Sequence, residues 1–107
     1  MRIFHIAHDT DWHDAQRLGE YRVSTRGRTL GEVGFIHAAT EQQVAATAKA
    51  FYSDDPMTLV LLELDTAKIE AAGIRVLNED VGGQLFPHIY GPIRPEFVVS
   101  VMPLLCT

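Results

Sequence analysis

Residues 58–65 read TLVLLELD, the most apolar strand-like segment of the chain. The segment lies between a turn sequence, SDDP (53–56), and a helical sequence, TAKIEAAG (66–73). A short apolar run with such neighbours is typical of a β-strand covered on both faces. Glu63 lies within this strand. Its carboxylate either reaches solvent near the strand's end or, in a central strand, needs a partner or takes a raised pKa, so Glu63 is a candidate functional acid.

Five further segments have the alternating or continuous apolar residues of β-strands. They are RIFHIAH (2–8), GFIHAAT (34–40), IRVLN (74–78), LFPHIYGP (85–92) and FVVSVMPL (97–104). The residues between 20 and 33 are predicted to be mostly loop, with a short strand at YRV (21–23).

Helical spacing marks residues 9–19 and, more clearly, residues 40–52. In the second helix Thr40 and Gln43 match a capping box, which satisfies backbone N–H groups at a helix start. Val44, Ala48 and Phe51 form its predicted buried stripe.

Two or three short helices among five or six strands are too few to cover both faces of a parallel sheet. The pattern therefore predicts a single α+β domain over residues 1–107, built on a strongly bent, largely antiparallel sheet. A compact doubly wound α/β domain is the alternative.

The composition narrows the class of protein. With 107 residues, 47% of them hydrophobic, the chain suits one packed globule. No run approaches the roughly 20 apolar residues of a membrane span, and the first residues carry charge too early for a signal peptide. We therefore expect a cytoplasmic protein without a membrane partner.

A net charge of −5 disfavours general nucleic-acid binding, and a single cysteine, Cys106, excludes an internal disulfide.

Three histidines, His5, His37 and His88, each lie in an apolar strand-like stretch. A buried imidazole needs partners for both ring nitrogens, and each unpaired polar group costs about 1–3 kcal/mol. Any one of them alone fits a core histidine bonded to a backbone carbonyl. Three together favour a shared cleft.

Several roles are open to such a cleft. The spacing of the three histidines matches no metal-ligand motif, so no metal site is predicted, and a metal-dependent hydrolase is the least favoured function. Acid–base catalysis is compatible with a histidine pKa near 6.5, and His88 is the candidate. Recognition of hydroxyl groups or a ring amide in a small ligand, by the imidazoles and Tyr90, is the remaining role.

Four of the nine basic residues fall within a short stretch, at Arg17, Arg22, Arg26 and Arg28. Arg26 and Arg28 flank Gly27 in the sequence STRGR (24–28). Arginine binds phosphate or carboxylate oxygens in a fork geometry, so this pair is a candidate phosphate clamp; a solvated loop is the alternative.

Nearly the whole chain resembles the bacterial domain-of-unknown-function family 952. The resemblance rests on IFHIA at the start, GEY, GFIHAAT followed by QVA, LVLLELD, and LFPHIYGPI before the last strand. The family has no established activity. It is grouped by fold-level similarity with the ADP-ribosyltransferase-like proteins, which hold NAD between two bent antiparallel sheets.

The resemblance implies a role for individual residues. His5 resembles the first-strand residue that binds ribose, and Thr40 ends the second motif. The third motif of that group carries a glutamate, whereas this chain has His88 and Tyr90 there, so an acid would have to come from Glu63 or Glu96. The implied function is an enzyme acting on NAD or a related nucleotide; the alternative is a non-catalytic nucleotide or small-ligand binding protein.

Overall fold

The computed structural model describes residues 1–104, and Cys106 lies outside them. In this part of the chain the strands are β1 (Arg2–His8), β2 (Val23–Thr25), β3 (Arg28–Thr29), β4 (Ile36–His37), β5 (Leu59–Asp65), β6 (Val76–Val81), β7 (Gln84–Ile89) and β8 (Val98–Leu104). Its α-helices are α1 (Asp9–Leu18), α2 (Leu30–Val33), α3 (Val44–Tyr52) and α4 (Thr66–Ala71), and 3-10 turns occupy Glu41–Gln43 and Pro95–Phe97. None of the helices among residues 1–104 has the length and apolarity that crossing a membrane requires.

The strands form two three-stranded sheets, in the orders β1-β5-β8 and β4-β7-β6, and a two-stranded ribbon of β2 and β3. Every strand pair among residues 1–104 is antiparallel, as predicted. The doubly wound alternative is therefore wrong. The prediction of one bent sheet with two or three helices needs correction, because residues 1–104 contain two three-stranded sheets, a two-stranded ribbon and four α-helices.

The two three-stranded sheets are joined at one point. Phe4 of β1 and Ala39, just after β4, donate their N–H groups to each other's carbonyl oxygens, both at 2.8 Å. Beyond this bridge the sheets separate, and a cavity lies where they part.

The strand predicted at residues 58–65 is present as β5 and is central in its sheet, but only the face of Leu62 and Leu64 is fully buried, and Leu61 and Glu63 on the other face are half-buried. Leu62 and Leu64 pack into the main core cluster, while Leu59 packs against Ala48 and Tyr52 of α3. Full burial of a leucine side chain stabilises a fold by about 1.5–3 kcal/mol, so β5 anchors both layers.

The helix predicted at residues 40–52 is present, and its capping box forms, with Gln43 Oε1 accepting the Thr40 N–H at 3.0 Å. Its buried stripe was predicted in part: Ala48 is buried and Val44 half-buried, as expected, but Phe51 is 60% exposed and Tyr52 is buried instead. Residues four apart lie on one side of a helix, so the buried face of α3 runs from Ala48 to Tyr52, whereas Phe51 lies at the edge of a cavity.

Residues 20–33, predicted to be mostly loop, contain two short strands and a short helix. The β2–β3 ribbon turns at Gly27, whose φ of 77° suits glycine, and α2 begins at a second capping box made by Thr29 and Glu32. The strand predicted at 21–23 begins two residues later, and Tyr21 makes only an isolated bridge to Ile93.

A buried carboxylate connects three parts of the fold. Asp55, in the loop after α3, accepts a hydrogen bond from His8 Nε2 at 2.6 Å, and the Arg26 guanidinium lies 3.3 Å away. Its side chain is 3% exposed. The hydrogen bond from His8, followed by smaller contributions that include Arg26, lowers the pKa of Asp55 to about 2. Asp55 therefore connects the end of β1, the ribbon and the α3 loop.

The substitution Asp55→Asn is expected to destabilise the protein by about 1–3 kcal/mol at pH 7, because it removes a charged acceptor from two donors. A carboxyl group with a lowered folded pKa stabilises the fold above its ordinary pKa of 3.8 and loses that contribution as the pH falls towards 2. The variant should therefore show a smaller loss of stability between pH 4 and pH 2, measured by urea unfolding.

Asp54→Asn is the matched control, because Asp54 also pairs with Arg26 but its side chain is 80% exposed. Its effect should stay below about 0.5 kcal/mol. Equal effects of the two substitutions would contradict the role assigned to Asp55.

Candidate functional site

Three histidines from distant parts of the chain line one cavity of about 180 Å³. His5 comes from β1, His37 from β4 and His88 from β7. The rest of the wall is mainly apolar, and none of the lining residues is an aspartate, glutamate, lysine or arginine. Phe51 of α3 and Val81 of β6 line the cavity and are also exposed, so they mark its opening.

His5 is buried, and both of its ring nitrogens have protein partners. Nδ1 lies 2.5 Å from the carbonyl oxygen of His37, which only accepts, so Nδ1 carries the proton. Nε2 then accepts the hydroxyl hydrogen of Tyr21 at 2.9 Å. Burial lowers the pKa of His5 to about 4, and it raises the pKa of Tyr21 well above its usual value. His5 is therefore a neutral imidazole at the base of the cavity.

His37 presents one ring nitrogen to the cavity. The Ser24 hydroxyl donates to the Phe35 carbonyl at 2.5 Å, so Ser24 Oγ accepts from His37 Nδ1 at 2.8 Å. Burial, and next the charge of His88, lower the pKa of His37. In the neutral ring Nε2 consequently carries the free lone pair. Ser24 itself is fully buried with its proton engaged, which does not suit a nucleophile.

His88 holds the least satisfied polar atom of the site. Its Nδ1 donates to Glu79 Oε1 at 2.8 Å, and one ring face stacks on Phe35 with the centroids 3.9 Å apart. Its Nε2 is buried and has no hydrogen-bond partner among the described residues. An unpaired buried group of this kind costs about 1–3 kcal/mol, which the fold tolerates here.

Glu79 and Tyr90 form a hydrogen-bonded pair next to His88, on the side of its Nδ1 atom. The Tyr90 hydroxyl donates to the same Glu79 oxygen that accepts from His88. The bond from Tyr90, and next the bond from His88, lower the pKa of Glu79, so its carboxylate is ionised. The same bond to Glu79 raises the pKa of Tyr90. Tyr90 is partly exposed and does not line the cavity.

The other acids expected at the site lie elsewhere. Glu63 is opposite Phe4 in the β1–β5 register, whereas His5 is opposite Leu62, so Glu63 faces the other side of the sheet. There it accepts from Ser100 Oγ at 2.7 Å and lies 3.8 Å from Arg2. Glu96 is exposed in the second 3-10 turn. Neither carboxylate lines the cavity.

The expected phosphate clamp does not form as a pair. Arg26 is held by Asp54 at 2.7 Å and Asp55 at 3.3 Å, and it lies over the Tyr52 ring. Arg28 is exposed and has no ion pair among residues 1–104, and its charge contributes to the lowered pKa of His37. Arg28 is therefore the arginine left available near the cavity. Thr40 serves as a helix cap and does not line the cavity.

Sequence reasoning missed three residues that orient the imidazoles: Ser24, Phe35 and Glu79. A signal for Glu79 was present in the glycine pair Gly82-Gly83. A two-residue glycine turn fixes the register of a hairpin. That register sets Glu79 opposite Phe86, two residues from His88 on the same face.

The chain matches the family described as "Protein of unknown function (DUF952)" over residues 6–101. The chain belongs to this family. A search of curated proteins finds no match. The crystal structure of protein CC0527 from Caulobacter crescentus is similar, with a TM-score of 0.79 and 25% identity over 98% of this chain and 87% of that one. The solution structure of CC0527 gives a TM-score of 0.75 at 25% identity, over 96% and 84% of the two chains. The DUF952 chain thus shares its fold with an independently solved protein.

The buried His5 should make stability depend on pH. The unfolded chain binds a proton near pH 6.5, whereas folded His5 does so only near pH 4. The contribution of neutral His5 to the free energy of unfolding is therefore fully present above about pH 6.5, and it is lost as the pH drops towards 4. The loss due to His5 is on the order of 3 kcal/mol, at about 1.4 kcal/mol for each pH unit between the two values.

His5→Gln removes the titrating group, so the variant should lose less stability than the wild type between pH 7 and pH 4 in urea unfolding. His13→Gln, at an exposed position of α1, should keep the wild-type slope. The same slope in the His5 variant and the wild type would show that His5 does not titrate as argued.

Proposed function

We propose that this protein binds a small ligand in the histidine-lined cavity, and that the ligand is NAD or a related nucleotide. The observation that carries the proposal is the buried, unpartnered Nε2 of His88 in the wall of that cavity. A ligand N–H or O–H that reaches this atom recovers the free energy of the missing hydrogen bond. Binding sites combine apolar walls with a few such polar groups.

The cavity suits one ring of a nucleotide. Its volume of about 180 Å³ is that of a small planar group, and Phe4, Tyr52 and Phe86 supply aromatic walls. A cationic ring such as that of nicotinamide is favoured beside aromatic faces. Because no charged residue lines the cavity, phosphates remain outside it, where Arg28 is the available cation.

The two histidines set the polarity of the ligand. Nδ1 of His37 and Nδ1 of His88 each donate to an oxygen of the protein, so both Nε2 atoms accept in the neutral rings. The ligand must therefore present hydrogen-bond donors. A primary amide or a hydroxyl group meets this requirement, whereas a carboxylate does not.

Catalysis is the second candidate function, and the pairing of Glu79 with His88 favours it. A carboxylate that holds Nδ1–H orients the ring and stabilises it when Nε2 takes a proton. In NAD hydrolysis His88 would take a proton from the attacking water, the new C–O bond would form at the ribose, and nicotinamide would leave with the electrons of the broken C–N bond.

The absence of a lining carboxylate is why we place binding before catalysis. The transition state of glycosidic cleavage carries positive charge on the ribose, and a nearby carboxylate normally stabilises it. No glutamate or aspartate lines this cavity, and Glu79 acts only through His88. The fold-level resemblance to ADP-ribosyltransferases supports a nucleotide ligand more than it supports transfer chemistry.

Nucleotide binding is tested by thermal unfolding and titration calorimetry with NAD and with nicotinamide. At a ligand concentration one hundred times Kd, the folded state should gain about 2.7 kcal/mol. His88→Ala should weaken binding at least tenfold, and Thr47→Phe, which narrows the cavity from α3 without touching a histidine, should do the same. His13→Ala is the control; unchanged affinity in both cavity variants would reject the site.

Catalysis is tested by following nicotinamide release from NAD. If His88 is the base, His88→Ala should lower kcat by about a hundredfold or more. Glu79→Gln should lower kcat less and change its pH profile, because the ring loses its charged partner. Binding without turnover in the wild type would leave binding as the function.

A further inference from the structure

We propose that His37 and His88 together form a binding site for a first-row transition-metal ion that favours imidazole, with Cu²⁺ as the strongest binder. The proposal uses the same two imidazoles as the proposed function, but it does not require a nucleotide. Three features of the pair support the proposal: the orientation of the rings, the distance between them, and the carboxylate of Glu79 beside His88.

Both rings are held in the orientation that metal ligands need. His37 and His88 are directly opposite each other in the β4–β7 register, so their side chains lie on the same face. Ser24 of β2 holds Nδ1 of His37, and Glu79 of β6 holds Nδ1 of His88, each at 2.8 Å. In the sheet order β4-β7-β6, Glu79 lies on the side of His88 away from His37, and the bonds at Nδ1 leave the Nε2 atom of each ring for a ligand. Metal-binding histidines are typically fixed in this way by an oxygen on the other nitrogen.

The separation of the rings fits one shared ion. Their centroids are 5.6 Å apart and the ring planes make an angle of 72°. A metal bound to Nε2 at about 2.0–2.1 Å lies roughly 3.2 Å from the ring centroid. Two rings at the observed separation would then subtend an angle of roughly 120° at the ion, which a distorted four-coordinate site accepts.

The electrostatic surroundings favour a cation at this point. The Glu79 carboxylate accepts the Nδ1–H of His88 at 2.8 Å, and no lysine or arginine lines the cavity. The unpartnered Nε2 of His88, on a side chain 4% exposed, gains a ligand when the ion binds. Metal binding would therefore give a partner to a buried polar atom that the protein itself leaves without one.

Within residues 1–104 the protein supplies two ligands to this ion. Among residues 1–104 no group of three histidine, cysteine, aspartate or glutamate side chains is arranged to hold an ion. His5 lines the same cavity, but its two nitrogens are engaged by His37 and Tyr21. Water or a small ligand must fill the remaining positions. Imidazole sites follow an affinity order that peaks at copper, so Cu²⁺ is the most sensitive probe of such an incomplete site.

The test is Cu²⁺ titration of the tag-free protein by calorimetry, with electron paramagnetic resonance to count the nitrogen ligands. The expected result is one ion per chain, with nitrogen coupling from two imidazoles. His37→Ala and His88→Ala should each weaken binding at least tenfold, and the double variant should lose it. Glu79→Gln should weaken binding by about tenfold or more, because it releases the ring of His88.

His13→Ala is the matched control, because His13 is exposed on α1 and should bind no ion tightly. Circular dichroism checks that each variant is folded, and His88→Gln replaces His88→Ala if the latter unfolds. Wild-type affinity in the double variant, or a spectrum without imidazole coupling, would overturn the proposal.

A parallel NAD titration in chelator separates the two proposals. NAD binding without Cu²⁺ binding would reject the metal site alone. Cu²⁺ binding without nucleotide binding would reject the proposed function alone.

Discussion

The two backbone hydrogen bonds between Phe4 and Ala39 are the constraint on which the rest of the structure depends. They join two three-stranded sheets at a single point, and the sheets separate beyond it. The joint brings His5 close to His37, because each lies within two residues of the bridge. The cavity lies beside this bridge, where backbone hydrogen bonds no longer join the two sheets.

The three histidines line one cavity, but they differ in how many of their ring nitrogens the protein uses for hydrogen bonds. His5 is fully bonded and neutral, so it stabilises the floor of the cavity. His37 and His88 each use one nitrogen for support and keep the other. Supporting oxygens from Ser24 and Glu79 thus fix the direction of two acceptor nitrogens, one on the buried ring of His88 and one on the exposed ring of His37. The rings are held in place before any ligand enters.

Sequence patterns predicted most of the elements, because β1, β5 and α1 carry regular apolar spacing. The patterns failed where a shift of one residue changes which side chain is buried, and where strands are very short. At α3 the predicted stripe continued to Phe51, three residues after Ala48, whereas the buried residue is Tyr52, four residues after it. In residues 20–33 the strands are two and three residues long, too short for periodicity to mark. The apolar setting of His5, His37 and His88 was visible in the sequence. Ser24 and Glu79 meet the rings only across strands, so no local spacing marks them, and only the Gly82-Gly83 turn carried a signal for Glu79.

The β6–β7 hairpin carries both Glu79 and His88, and Gly82-Gly83 closes it at the far end. An acid and the base it orients therefore belong to one rigid unit, whereas His37 belongs to a different strand. His37 faces His88 across β4 and β7 of the same sheet, so a movement of the hairpin as one body would have to break that strand pairing. The carboxylate, the imidazole it holds and the opposite histidine therefore keep their spacing together, and access to the cavity depends on the exposed side chains at its mouth, Phe51 and Val81.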